Sequence, residues 1–140
     1  MNASPGPSCG EAICKGFSGI CDYSSRSRRS EYWYMVLFNF IIETIIYILF
    51  NASKNSSFEK IVAIVFIIYS FVMLFITLPL SIRRLHDIGK SGWFFLIILI
   101  PLIGAFILLF FFCQDSQPES NEYGPSPKYT SVACGYATQV

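Results

Sequence analysis

The densest group of chemically capable residues in this 140-residue sequence is the stretch RRLHDIGKSGW, at residues 83–93. It gathers five charged or titratable side chains between long runs that carry no charge. Arg83 and Arg84 would end one helix, and Ser91 would cap the next. With Lys90, these groups suit a phosphate, most simply that of a lipid headgroup. The same cations would also hold a loop on the cytoplasmic side of a membrane.

Catalysis is a weaker interpretation of the same stretch. His86 and Asp87 could pair with each other or bond the arginines, but a catalytic triad needs a nucleophile oriented on the histidine. Adjacency in sequence does not provide one, so we expect a protein that is not an enzyme. Topology alone would not require the rest of this loop motif, which comprises His86, Asp87, Gly89, Ser91, Gly92 and Trp93.

A second candidate is the carboxylate of Glu43, inside an apolar run. A charge at mid-membrane costs about 2.5–3.5 kcal/mol, so such residues usually face other protein groups. Asn39, Glu43 and Tyr47 follow one another at four-residue steps and predict one polar helix face. Two interpretations fit: a proton-coupled or cation-binding carboxylate of a small transporter or channel subunit, or a protonated carboxyl that bonds a neighbouring helix.

Three apolar segments must position these residues, at 33–50, 61–82 and 93–113. Charged residues make up 14% of the chain and hydrophobic residues 54%, whereas a soluble domain has about 25% charged residues. About 20 helical residues cross the hydrocarbon core of a membrane. The sequence therefore predicts an all-α, multi-pass integral membrane protein with three transmembrane helices.

The segments outside the spans predict the remaining organisation. Residues 1–10 and 131–140 are expected to be a disordered N-terminus and a flexible C-terminus around a membrane domain at 11–130. Ile13, Phe17 and Ile20 fall on one helical face, which predicts a short amphipathic interfacial helix before the first span.

The distribution of basic residues predicts the orientation. Seven of the ten precede the first span or lie between the second and third. By the positive-inside rule we expect a cytoplasmic N-terminus, an external loop at 51–60 and an external C-terminus. The predicted basic cytoplasmic face would bind anionic lipid headgroups or a protein partner, and it comprises Arg26, Arg28, Arg29, Arg83, Arg84 and Lys90.

Four blocks of sequence carry a resemblance to a known family: SRRSEYW before the first span, RRLHDIGKSGW, LIPLIG, and NEYGPSP near the end. In this order they resemble the small bacterial inner-membrane proteins of domain of unknown function 805, over about residues 13–129. The resemblance implies a similar multi-pass protein of the bacterial inner membrane, and it implies no biochemical activity. Ser25 stands where that family usually has glycine.

Other classes of function find little support. A net charge of +1 argues against nucleic-acid binding. The spacing of the five cysteines matches no zinc site, and we find no cofactor motif, so we expect neither metal nor cofactor. Because three helices enclose little volume, a homo-oligomer or a membrane protein partner is a further expectation. The sequence thus favours a non-enzymatic membrane protein, with a Glu43-dependent transporter subunit as the alternative.

Overall fold

The computed structural model describes residues 4–54 and 58–129, and its regular elements there are all helical. In chain order they are α1 (Cys9–Ser18), α2 (Arg29–Ala52), α3 (Glu59–Asp87), a 3₁₀ helix (Gly92–Leu99) and α4 (Ile103–Cys113). Within those ranges the β structure amounts to one isolated bridge, between Asn121 and Gly124. The all-α prediction is confirmed for this part of the chain.

Helices α2 and α3 are long and apolar enough to cross a membrane. Their 24 and 29 residues correspond to about 36 and 43 Å, against about 30 Å of hydrocarbon. Little of either apolar segment is buried inside the chain, so neither resembles the core helix of a soluble protein, and lipid or another protein must cover them. The predicted spans at 33–50 and 61–82 fall inside these helices.

The third apolar segment is not a continuous helix. Its 3₁₀ helix ends at Leu99 and α4 begins at Ile103, and between them Leu102 has a φ of 63°. Pro101, for which the sequence predicts a kink, lies in this break, because proline cannot donate the helical hydrogen bond and its ring clashes with the preceding turn. Each half is about 16 Å long, roughly half the hydrocarbon thickness.

The two halves form a hairpin that returns to the end where it starts. The rings of Phe94 and Phe111, near the two open ends, lie 6.2 Å apart between centroids. Gly104 permits the close approach, since a Cβ at this position would lie 1.8 Å from the Ile97 carbonyl oxygen. The predicted single span over 93–113 therefore appears as two short antiparallel helices.

The buried core lies towards one end of the molecule. One cluster joins α2 and α3 through Met35, Met73, Ile76 and Leu80. A second joins the end of α3 to α4 through Leu85, Ile88, Leu108 and Phe112. Tyr32 packs against both clusters, so the hairpin and the two long helices form one packed unit at this end.

The predicted short helix before the first span is present as α1, and it packs on α2. Ser8 caps it, because its Oγ accepts from the Glu11 amide at 3.3 Å. Gly16 lies against Met35, and Phe17 meets Phe38 edge to face. The helix begins at Cys9, inside the range 1–10 for which the sequence predicts disorder. The predicted flexible segment at 131–140 lies outside the described residues.

The N-terminal and C-terminal parts of the described chain meet at the same end of the helix pair. The Ser4 amide donates to the Lys128 carbonyl at 2.8 Å, and Arg26 donates to the Glu119 carbonyl at 2.9 Å. The prediction that the two ends lie on opposite sides of a membrane is therefore wrong for these segments. The physical reason is the hairpin, because the chain turns back at Leu102 towards the end from which it came.

Candidate functional site

The polar end of the molecule, here called the polar cap, consists of residues 19–30, 81–92 and 114–129. It contains all six basic residues that the sequence assigns to a cytoplasmic face. The structure brings them together at one end and divides them by exposure. Arg26, Arg83 and Arg84 are buried, whereas Arg29 and Lys90 are exposed and Arg28 is half-buried.

Two of the buried arginines share one carboxylate. Arg26 Nε donates to Asp87 Oδ1 at 3.1 Å, and Arg84 Nη1 donates to Asp87 Oδ2 at 2.5 Å. The three side chains are at most 1% exposed. A carboxylate between two guanidinium groups keeps these buried charges paired. Asp87, for which the sequence suggests a pair with His86 or with the arginines, therefore serves as an internal counterion for Arg26 and Arg84.

The same arginines also bind the C-terminal segment through its backbone. Arg26 donates to the carbonyl oxygens of Gln117, Glu119 and Gly124 at 2.8, 2.9 and 3.1 Å. Arg84 donates to the Gln114 carbonyl. Because their donors are used inside the chain, Arg26 and Arg84 do not offer a surface to an external headgroup. Their predicted role in anion binding is replaced by fastening the C-terminal segment to α3.

Arg83 is buried beside the loop that follows α1. Its Nη1 lies 3.9 Å from Asp22 Oδ2, and its guanidinium occupies the space beside Gly19. Hydrogen bonds from Ser25 and Ser24 lower the pKa of the Asp22 carboxyl to about 2, against the opposing effect of burial. Ser25, where the resembling family has glycine, thus helps to keep the partner of Arg83 ionised.

Arg28 and Arg29, together with Lys128, line a second region, here called the basic pocket. Its volume is about 460 Å³, and its walls are formed by Gly6, Arg28, Arg29, Ser30, Trp33, Asp115 and Lys128. Arg28 Nη1 donates to Ser4 Oγ at 3.2 Å and to the Pro5 carbonyl at 3.0 Å. Three cations and one carboxylate leave the pocket with an excess of positive charge.

One ion pair in the basic pocket is already made. Lys128 donates to Asp115, and this bond raises the pKa of the lysine and lowers the pKa of the aspartate. The Oγ atom of Ser30 is buried in the same region, without a hydrogen-bond partner among the described residues. The pocket therefore combines unused cationic charge with an unused hydroxyl at the start of α2.

Lys90 lies apart from the basic pocket. Its Nζ is 5.8 Å from the ring centroid of Phe94 and 6.0 Å from that of Phe111, at the open end of the hairpin. These distances are typical of cation–π contacts. Lys90 thus marks the mouth of the hairpin, and the six cations predicted to form one basic face lie in distinct places at the polar end.

The loop motif surrounds another space, here called the interfacial cavity, of about 440 Å³. The His86 ring stacks on Tyr123 with centroids 3.7 Å apart and planes 2° from parallel. Ser91 caps the 3₁₀ helix as predicted, because its Oγ accepts from the Trp93 amide at 3.4 Å. Gly89 forms the turn with a φ of 71°. The residues that line the cavity are Tyr23, Leu78, Ile82, His86, Ser91, Gly92, Trp93, Phe95, Leu96 and Tyr123.

The intramembrane polar residues do not converge on a buried site. Tyr69 donates to Asn39 Oδ1 at 3.1 Å, which ties α3 to α2. Glu43 lies one turn further on, in an outward-facing groove that Tyr47 and Phe66 also line. Thr77 does not reach Glu43, because its hydroxyl donates to the Met73 carbonyl of its own helix at 2.8 Å.

Several important residues escaped the sequence reasoning. Glu31, expected only to favour the helix dipole, is buried and accepts from Lys15 at 2.6 Å and from Ser27 Oγ at 2.8 Å. Arg28 holds the N-cap position of α2, and Ser27 precedes it. Tyr123 lies in the NEYGPSP block. That block carries part of the family resemblance but does not predict that Tyr123 stacks on His86. The described residues contain no group of three metal-ligating side chains.

The relatives found by comparison with known proteins are named for their location in the inner membrane. The chain is 36% identical over 124 residues to the Escherichia coli K12 inner membrane protein YhaI, covering 86% of this chain and 95% of the relative. It is 34% identical over 118 residues to the inner membrane protein YhaH of the same organism, covering 83% and 93%. No solved structure matches the chain.

The family comparison agrees with these relatives and with the sequence blocks. The model of the family described as "Protein of unknown function (DUF805)" matches residues 20–125. That range includes both long helices, the hairpin and most of the polar cap. This chain is a member of the DUF805 family of membrane proteins.

Proposed function

We propose that this protein is a non-enzymatic protein of the inner membrane that binds the phosphate of an anionic lipid headgroup in the basic pocket. The observation that supports the proposal is that some arginines are buried inside the chain whereas others remain accessible. Arg26 and Arg84 are engaged by Asp87 and backbone carbonyls, and Arg83 is buried beside Asp22. Arg28 and Arg29 instead lie beside Lys128 and the unpartnered hydroxyl of Ser30. Arginine forks and hydroxyl groups are suited to bind phosphate oxygens.

The topology that accompanies this proposal has two spans and a re-entrant hairpin, with the polar cap in the cytoplasm. Eight of the ten basic residues lie at the polar end and only two at the other, near the α2–α3 connection. The positive-inside rule then favours a cytoplasmic polar cap. Trp33 would lie at the headgroup layer, where indole rings are favoured.

Thiol labelling in intact cells tests the topology. In a background without the other cysteines, Cys113 should resist a membrane-impermeant maleimide, and Lys54→Cys should react with it. Cys113 is exposed at the polar end of α4, so it becomes reactive once the membrane is permeabilised. Labelling of Cys113 from outside would instead support three complete spans and overturn this arrangement.

Native mass spectrometry of protein released from nanodiscs tests the headgroup site. With equal phosphatidylglycerol and phosphatidylcholine, the wild type should retain phosphatidylglycerol preferentially. The double variant Arg28→Gln/Arg29→Gln should lose about 2 kcal/mol, or about 30-fold, in affinity, at about 1 kcal/mol per cation.

The matched control removes the same charge from the opposite end. Lys54→Gln/Lys60→Gln should keep the preference, because these lysines are exposed and far from the pocket. Equal retention of both lipids by the wild type would contradict the proposal. An unchanged preference in the double arginine variant would also contradict it, and would favour a protein partner as the ligand of the basic pocket.

The alternative of a transporter subunit has one observation in its favour. Glu43 is half-buried in a groove that faces out of the chain, and within the described residues its carboxyl receives no hydrogen bond. A pathway through Glu43 would require a second copy or another protein to close the groove. If Glu43→Gln abolished a measured ion or proton flux while lipid retention was unchanged, the alternative would replace the proposal.

A further inference from the structure

We propose that the interfacial cavity is a second lipid site, which takes an uncharged amphiphile with a hydroxyl or carbonyl head and a hydrocarbon tail. The head would hydrogen-bond to His86, and the tail would lie along α3 and the 3₁₀ helix. This site is separate from the basic pocket and does not depend on binding there.

The cavity has the gradient of polarity that an amphiphile requires. His86, Tyr123 and Ser91 form its end within the polar cap. Ile82 and Leu78 precede His86 by one and two helical turns, so they lie about 6 and 12 Å deeper along α3. The opposite wall is apolar and comes from the 3₁₀ helix, through Phe95 and Leu96.

His86 provides the group that recognises a head. It is 6% exposed, and its ring is held by the stack on Tyr123. Its Nδ1 is buried on the side of the Ser25 backbone, without a hydrogen bond of ordinary geometry among the described residues. Its Nε2 faces Gly92 in the cavity wall, so this nitrogen is the one a ligand would meet. A buried imidazole with unused hydrogen-bonding capacity is costly unless a ligand or water satisfies it.

The lining decides the charge of the occupant. Among the described residues, no arginine, lysine, aspartate or glutamate lines the interfacial cavity. Lys90 is engaged with Phe94 and Phe111 at the mouth of the hairpin. An ionised headgroup would lose its hydration here without gaining a counter-charge. A hydroxyl or carbonyl needs only one donor or acceptor, which a neutral imidazole supplies.

A lipid in this cavity would account for the residues of the loop motif that topology does not require. At Gly92 a Cβ would lie 2.8 Å from Ile82 Cγ2 and 3.3 Å from His86 Nε2, so a side chain there would press on the ring and on the cavity wall. Ser91 starts the 3₁₀ helix beside the same space, and Trp93 is 78% exposed at its rim.

Fluorescence of Trp93 provides the test. The chain has two tryptophans, so Trp33→Phe leaves Trp93 as the only indole reporter. The protein is placed in phosphatidylcholine nanodiscs and titrated with diacylglycerol carrying brominated chains, a short-range quencher. The expected result is quenching that saturates at a few mole per cent and is reversed by unlabelled diacylglycerol.

Two matched variants and a second probe complete the design. In the Trp33→Phe background, Leu78→Phe narrows the cavity and should remove the saturable component. Leu74→Phe makes the same change one turn away, on an exposed surface, and should leave it intact. Quenching that rises linearly with bromolipid and is equal in both variants would overturn the proposal. Saturation with brominated phosphatidylglycerol but not with diacylglycerol would also overturn it.

Discussion

Replacing Asp87 by asparagine should strongly destabilise the protein. Asp87 is the carboxylate that pairs with both Arg26 and Arg84, at 3.1 and 2.5 Å, and no side chain in this group is more than 1% exposed. Asparagine keeps the shape and removes the charge, so two guanidinium groups would remain buried without a counterion. Breaking a buried ion pair from one side costs about 3–5 kcal/mol.

The measurement is reversible unfolding in mixed micelles by titration with dodecyl sulfate, followed by tryptophan fluorescence. The matched control is Asp115→Asn, which removes a carboxylate that is 55% exposed and paired with Lys128. Exposed pairs contribute about 0–1 kcal/mol. The difference between the two variants should therefore be at least about 2 kcal/mol.

A second variant separates this reasoning from general damage to the fold. Adding Arg84→Met to Asp87→Asn removes one of the two unpaired charges, so part of the lost stability should return. If Asp87→Asn costs no more than Asp115→Asn, or if the added methionine makes the loss larger, the buried charges are not paired as the structure indicates.

Two further predictions concern the hairpin and the loop after α1. Gly104→Ala should lower the free energy of unfolding by about 1–3 kcal/mol or more in the same titration, because its Cβ would overlap backbone; Gly10→Ala, with nothing within 4 Å, should not. The Asp22 pKa is lowered to about 2, so its ionised form contributes stability above about pH 4 that is lost as the pH falls towards 2. Ser25→Ala should raise the Asp22 pKa in an NMR titration, and no change would contradict the assigned cause.

The sequence predicted the two long helices well, because a run of apolar residues with no charge has few alternatives in a membrane. It failed on the third segment, at 93–113, where composition and length are the same as in a span. The difference comes from Pro101, Leu102 and Gly104, which permit a break and a close return. A hydropathy average over 93–113 is dominated by the surrounding apolar residues, and it cannot detect a turn that depends on backbone geometry.

The arginines show a second limit of sequence reasoning. Counting basic residues predicts which end of the molecule is positive, and eight of ten do lie at one end. It cannot predict which guanidinium groups are buried, because burial depends on partners far away in the chain. Arg26 bonds Asp87, 61 residues later, and Gly124, 98 residues later. Only packing distinguishes these arginines from Arg28 and Arg29.

Arg26 immediately precedes the first block that carries the family resemblance, and it binds two of the other blocks. SRRSEYW follows Arg26 and supplies Glu31, and RRLHDIGKSGW supplies Asp87 to Arg26. NEYGPSP supplies the carbonyl of Gly124 to the same arginine. LIPLIG contains the break that returns the chain to this end. The blocks are best understood as parts of one structure that supports the pocket and the cavity beside it.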